Sequence, residues 1–185
     1  MTQKCFYRFA SLVFFLIFVL LSCKNSNNKI WEFDISNLPS LTVKNDTTVY
    51  FDSGRVVLRL IFPIMEQYDN SGDTYYEFKN GLHAEFFDRD KNPSGTITSK
   101  YAKNTQNNSL WELRDSVVVI NENKEKLETE ILFWDQTKDL IYTDKFVKFT
   151  SEDQIITGTG FDSDSHLRKR RIKRPSATIY LNENE

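Results

Sequence analysis

Past Leu41 the chain alternates apolar and polar positions and shows no helical stripe. Val56, Leu58, Leu60 and Phe62 interleave with Arg55, Val57, Arg59 and Ile61, a period of two that predicts a strand with one apolar face. Asp52-Ser53-Gly54 turns into that strand and Pro63 ends it. Runs from Tyr75 to Lys79 and from Leu82 to Asp88 flank Asn80-Gly81. That pair predicts a hairpin, because both residues of a tight hairpin turn need positive φ. Leu82, Ala84 and Phe86 share a face there. A Thr-rich strand is expected over Ser94 to Lys103, after a turn at Asn92-Pro93. The run Leu110 to Ile120 carries Trp111 and then Val117, Val118 and Val119. Lys126 to Trp134 puts Leu127, Thr129, Ile131 and Phe133 on one face, opposite Glu128 and Glu130. Asp139 to Phe149 carries Ile141, Val147 and Phe149. Gln154 to Phe161 ends in Gly158-Thr159-Gly160-Phe161. The last expected strand is Leu167 to Lys173, stopped by Pro175. Strand centres fall 10–15 residues apart with polar turns between them. This is the beat of an all-β sandwich or barrel built from a repeated strand-turn unit.

The N-terminus follows another pattern. Lys4 and Arg8 precede an apolar run of 13 residues, Phe9 to Leu21. A helix crossing the hydrocarbon core needs roughly 20 residues, and runs of 10–14 are typical of secretory signals. Leu20-Leu21-Ser22-Cys23 follows at once and resembles a lipobox, in which the Cys thiol receives diacylglycerol and becomes the new N-terminus. The alternative is an uncleaved anchor with a buried Cys. Cleavage before Cys23 removes Cys5 and leaves 163 residues of net charge −4. Acylation of Cys23 then leaves no free thiol and no disulfide. Several acyl chains on one residue anchor firmly where a single chain does not. Lys24 to Lys29 is polar and reads as a tether.

Composition narrows the function classes. The 185 residues carry a net charge of −2, and apolar residues make up 39 % of them. That excludes a globally basic nucleic-acid binder and a disordered chain. Two Cys and two His argue against dense metal or disulfide chemistry. His83 and His166 lie 83 residues apart with no triad pattern. Asp162-Ser163-Asp164 and Asp69 to Asp73 lack the spacing of a calcium loop and read as turns. No catalytic residue, cofactor or metal site is expected.

The runs Lys126 to Asp135, Leu140 to Phe149 and Ile156 to Asp162 carry the patterns "L-x-T-x-x-L-x-[WY]-D", "I-Y-T-D-x-x-V" and "G-x-G-[FL]". In this order they resemble the LptC family of periplasmic lipopolysaccharide-export proteins, over roughly Thr48 to Ser176. The resemblance implies a single twisted, slide-like antiparallel β-jellyroll, open along one edge. It follows a signal peptide (1–22) and a lipidated tether (23–40), occupies 41–176, and precedes a tail (177–185). It implies a component that receives lipopolysaccharide from an inner-membrane LptBFG-type ABC transporter and passes it to an LptA-type periplasmic bridge protein. Many members are held by an uncleaved helix, whereas this chain offers Cys23 as a lipid anchor; the resemblance implies the periplasmic face of the inner membrane, and the outer membrane is the alternative. A structural lipoprotein that assembles by β-edge pairing, and a binder of a small soluble substrate, are the alternatives from other classes.

Carrying acyl chains through water needs an apolar trough, since each buried CH₂ is worth about 0.8 kcal/mol. The expected inward residues are Leu58, Leu60, Phe62, Phe78, Ala84, Phe86, Val117, Val119, Ile131, Phe133, Val147, Phe149 and Phe161. Periodicity alone reads them as ordinary core, and only the resemblance turns that face into a lipid surface. Arg168-Lys169-Arg170-Arg171-Ile172-Lys173-Arg174 holds six basic residues in seven, against a balance of −10 in the rest of the mature chain. A secreted chain does not meet nucleic acid. The run therefore reads as a charged edge strand that resists unwanted pairing, as a contact for lipid phosphates, or as a dock for a partner strand. The resemblance makes Gly158 and Gly160, with Arg168, Arg170, Arg171 and Lys173, the partner-facing end.

Overall fold

The computed structural model describes residues 38–70 and 73–180. The expected signal peptide, Cys23 and the expected tether up to residue 37 lie outside the described residues. The described chain forms eleven strands and a single 3₁₀ turn at Gln106–Asn108. The strands are β1 (Leu41–Asp52), β2 (Arg55–Asn70), β3 (Asp73–Phe78), β4 (Leu82–Phe87), β5 (Pro93–Ser99), β6 (Tyr101–Thr105), β7 (Leu110–Asn121), β8 (Lys126–Asp135), β9 (Leu140–Thr150), β10 (Gln154–Ser163) and β11 (Arg171–Tyr180). All pairings are antiparallel, and they join the strands into one sheet. The chain builds the all-β fold expected from the alternation, and its single antiparallel sheet is consistent with the jellyroll that the resemblance implies.

The sheet is a meander with a crease across it. β3 and β4 lie end to end along β2, and β5 and β6 lie end to end along β7. The pairing skips Asn45 and Pro63 between β1 and β2, and the break continues at Lys79–Gly81 and at Lys100. It then passes through Asp115 and Ser116, through the register shift between Thr129 and Phe133, and on to Gly160. Asn45, Gly81, Asp115, Ser116 and Gly160 all have positive φ, so the backbone itself turns along this line. Bulges bend strands and raise their twist. Here they fold one sheet into two half-sheets, packed face to face over one core as in a sandwich.

Three expectations fail at the crease, each for a physical reason. Asn80-Gly81 is no hairpin: β3 and β4 run in the same direction beside β2, and Gly81 at φ +99° kinks the chain between them. A Cβ on Gly81 would sit 3.0 Å from the Ser99 carbonyl oxygen, so glycine is needed there for space as well. Pro63 does not end its strand, because it stands where the ladders to β1, β3 and β4 are already broken and no amide is required of it. The expected strand over Ser94 to Lys103 breaks at Lys100, whose amide donates to the Asp115 carbonyl at 3.0 Å.

At the C-terminus Leu167 to Arg170 forms no strand. β11 begins at Arg171 and runs through Pro175 to Tyr180, so 177–180 belong to the sheet and not to a tail. An edge strand tolerates that proline. Gly158 faces Pro175 across β10 and β11. A Cβ on Gly158 would meet the Arg174 carbonyl oxygen and Ile172 Cγ2 at 2.5 Å, so β11 lies close only because this residue is glycine.

The core draws on both half-sheets. Leu60, Phe62, Phe78, Ala84, Val117, Val119, Leu127, Leu132, Ile141, Val147, Phe149 and Phe161 are all buried in one cluster. Burying each such large side chain is worth about 1.5–3 kcal/mol.

Candidate functional site

The two half-sheets do not meet equally along their free ends. On the β1 side they leave a cavity of about 640 Å³. β1 and β2 supply Tyr50, Phe51, Val57 and Leu58 to its wall, and β4 supplies Phe86. From the opposite half-sheet come Tyr76, Asn104, Gln106, Trp111, Trp134 and Gln136. None of these side chains is charged. Phe51 at 65 % exposure stands at the rim, and Trp111 at 6 % lies deep.

The aromatic rings form a continuous series. Phe62 meets Phe78 edge-on at 5.2 Å, and Phe78 stacks on Trp111 at 5.8 Å. Trp111 stacks on Trp134 at 6.4 Å, and Trp134 meets Phe86 edge-on at 5.5 Å, across the two half-sheets. Such pairs are worth about 0.5–1.5 kcal/mol beyond their buried area, so the rings hold one another in place. The Trp111 Nε1–H is buried and donates to nothing among the described residues. At the rim, Gln106 Nε2 donates to the Tyr76 hydroxyl at 2.9 Å. Partial burial, and then the neighbouring Tyr76 hydroxyl, raise the pKa of Tyr50 above its ordinary value. An uncharged aromatic slot with an amide rim suits alkyl chains and excludes ions.

On the β8–β11 side the mouth is shut. The loop 164–170 reaches over to the turn at 121–125. Arg170 Nη1 lies 3.2 Å from Glu125, and Asn121 Nδ2 donates to the His166 carbonyl at 3.3 Å. The Arg170 guanidinium sits over the Phe149 ring at 4.5 Å. Leu167 is fully buried beneath the loop.

The residues expected to face inward divide three ways. Leu58 and Phe86 line the cavity. Leu60, Phe62, Phe78, Ala84, Val117, Val119, Val147, Phe149 and Phe161 lie in the core. Ile131 and Phe133 do not face inward. The bulge after Thr129 moves the alternation by one position, so Leu132 and Trp134 point inward in their place. A one-residue slip turns every following side chain to the other face. Ile131 and Phe133 instead line an outer groove with Tyr142, Lys145 and Lys173, and Phe133 stacks on Tyr142 at 5.2 Å. The sequence reading missed Tyr50, Phe51, Val57, Tyr76, Asn104, Gln106, Trp111, Trp134 and Gln136 as wall residues. Trp111 keeps the phase of Val117 and Val119 along β7 and is found by counting back from them, whereas Trp134 is found by letting the phase restart at Thr129-Glu130.

The basic run is largely neutralised from within. Arg168 pairs with Asp164 at 3.4 Å, and Arg171 and Lys173 pair with Asp162 at 2.9 and 3.3 Å. Lys169 and Arg174 have no ion-pair partner among the described residues. Arg168 and Arg170 belong to the loop, and Arg171 and Lys173 to edge strand β11. Gly158 and Gly160 lie in β10, beside that edge.

Among the described residues no group of three His, Cys, Asp or Glu stands where it could hold a metal ion. His83 pairs only with Glu85, at 3.3 Å on the outer surface. Residues 10–180 match the protein family described as lipopolysaccharide-assembly, LptC-related. No curated protein matches the chain.

Proposed function

The chain belongs to the LptC-related family of lipopolysaccharide-assembly proteins, and on that premise we propose that the aromatic cavity between its half-sheets holds lipopolysaccharide acyl chains in transit. The family is a component of lipopolysaccharide transport, associated with the inner membrane and periplasm. The observation that carries the proposal is the uncharged wall of Phe86, Trp111 and Trp134, open to solvent at one end. An acyl chain of about a dozen CH₂ groups gains on the order of 10 kcal/mol from leaving water. That is enough to hold an amphiphile, while the open end lets it leave.

In this reading the chain takes lipopolysaccharide from an inner-membrane ABC transporter, which supplies the ATP hydrolysis, and performs no catalysis itself. Acylated Cys23 holds it at the periplasmic face of the inner membrane. Edge strand β11 adds to the sheet of a periplasmic bridge protein, with Gly158 and Gly160 shaping that end and Arg171 and Lys173 facing the partner. Ile179 and Tyr180, 57 % and 73 % exposed on this edge, are the apolar contacts such a partner would cover.

The test is site-specific photo-crosslinking in living cells. A crosslinking residue replaces Phe86 or Trp134, with His83, Glu128 and the outward Phe133 as controls. Adducts with lipopolysaccharide at the first two sites, dependent on working ATP hydrolysis in the transporter and absent at the controls, are the expected result. Silence at Phe86 and Trp134 in folded, anchored protein would replace the transport reading by a scaffold that joins neighbours through its sheet edges.

A further inference from the structure

One side chain plugs the closed end of the mouth. Leu167 comes from a loop outside the strands, yet it is fully buried in the same core cluster as Phe149 and Val147. Its φ is +59°, in the left-handed region, where a leucine stays only if its surroundings hold it. Few contacts hold the loop across the mouth. Arg170 pairs with Glu125 at 3.2 Å and sits over the Phe149 ring at 4.5 Å, and Asn121 donates to the His166 carbonyl at 3.3 Å. On its own half-sheet the Ser165 amide and hydroxyl both donate to Asp139. No strand pairing joins the loop to the half-sheet opposite. An alkyl group of the protein thus packs into the core at this end, and it is carried on a segment that belongs to no strand.

We propose that the slot continues beneath Leu167 as a second acyl-chain subsite, with loop 164–170 as its lid. The acyl chain of an anionic lipid displaces Leu167, Arg170 leaves Glu125, and Arg168, Lys169 and Arg170 take the head group. The inference rests on the reading of the aromatic cavity as an acyl-chain site. It adds that lipid reaching the β11 side must open a latch. The basic run then has a task besides guarding an edge: its loop portion balances local acids when the lid is shut and meets an anion when it is open.

Two measurements on the full chain test this. Hydrogen exchange of the amides of residues 165–170 is followed with and without purified lipopolysaccharide, and separately with phospholipid vesicles. Exchange at least tenfold faster with lipopolysaccharide, the strand amides being unchanged, is expected. The same change with vesicles alone would assign the subsite to phospholipid and overturn it as a lipopolysaccharide subsite. In cells, a crosslinking residue at Phe149 is compared with one at Phe86, with and without Glu125→Gln. Leu167→Ser serves as a second way to release the lid. A several-fold rise of lipopolysaccharide adducts at Phe149 relative to Phe86 in either released variant is expected. Adducts at Phe86 with unchanged loop protection, or with none at Phe149 in both variants, would overturn the subsite and leave the aromatic cavity standing. Absence of adducts at Phe86 as well would overturn both.

Discussion

The two ends of the mouth are made from the same sheet and closed by different means. At the β1 side, Phe86 and Trp134 touch across the half-sheets, and no ion pair ties the wall together. At the β8–β11 side, an apolar plug lies under a polar latch. Hydrophobic contact between an alkyl chain and this wall is non-directional and tolerates the chain sliding along it. A latch is directional and is either made or broken. The lesson is that β pairing settles where the half-sheets lie, and a few side chains then settle which stretch of the slot is open.

The largest expected effect separates packing from lining. Phe149→Ala removes a fully buried ring at the closed end and should cost about 3–5 kcal/mol. Phe51→Ala, at the open rim, should change stability by no more than about 0.5 kcal/mol. Urea denaturation of the two variants reads this directly. Equal losses would mean that the rim is core and that the two ends do not differ. Next in size is the pair at the bulge. Leu132→Ala should cost about 2–5 kcal/mol and Phe133→Ala only about 1 kcal/mol, although alternation counted from Leu127 puts Phe133 inside. The reverse order would restore the uninterrupted strand.

That pair also marks how far the sequence could be read. The strand beat, the turn at Asp52-Ser53-Gly54 and the inward faces of β2, β4 and β9 were legible because period-two alternation is local. The family was legible from β8 to β10, where motif spacing is tight. The crease was not. A bulge adds one residue without changing composition, so Asp115-Ser116 and Thr129-Glu130 look like ordinary polar positions in a strand. The same blindness turned Asn80-Gly81 into a hairpin, since positive φ serves a kink as well as a turn. The cavity was the least legible feature. Tyr50, Tyr76 and Trp134 come from strands far apart in sequence, and only the fold across the crease brings them together.

Smaller in effect, Gly158→Ala tests what keeps β11 against the closed side. Its Cβ would press on the Arg174 carbonyl and on Pro175, 2.5 and 2.9 Å away. A loss of about 1–3 kcal/mol is expected from such overcrowding, with faster exchange of β11 amides and none of β1 amides. A uniform effect on both edges would show that the strand is not held separately.

The smallest effect is a difference in acid response between the two ends. Burial alone would raise the pKa of Asp164, but the amides of Arg168 and Lys169 and the Arg168 guanidinium outweigh it and hold the carboxyl below its ordinary 3.8. A carboxyl with a depressed pKa stabilises the folded loop above that ordinary value. The contribution fades as pH falls below about 4 through the folded pKa and the carboxylate protonates. No carboxylate lines the aromatic cavity, so its wall has no such dependence. Between pH 6 and pH 3, then, hydrogen exchange of residues 165–169, corrected for intrinsic rates, should accelerate before that of Trp111 and Trp134. Asp164→Asn should make the loop fast already at pH 6 and flatten its pH response. If the loop and the aromatic wall loosen together in acid, and Asp164→Asn leaves that unchanged, Asp164 is not what fastens the loop and the two ends share one stability.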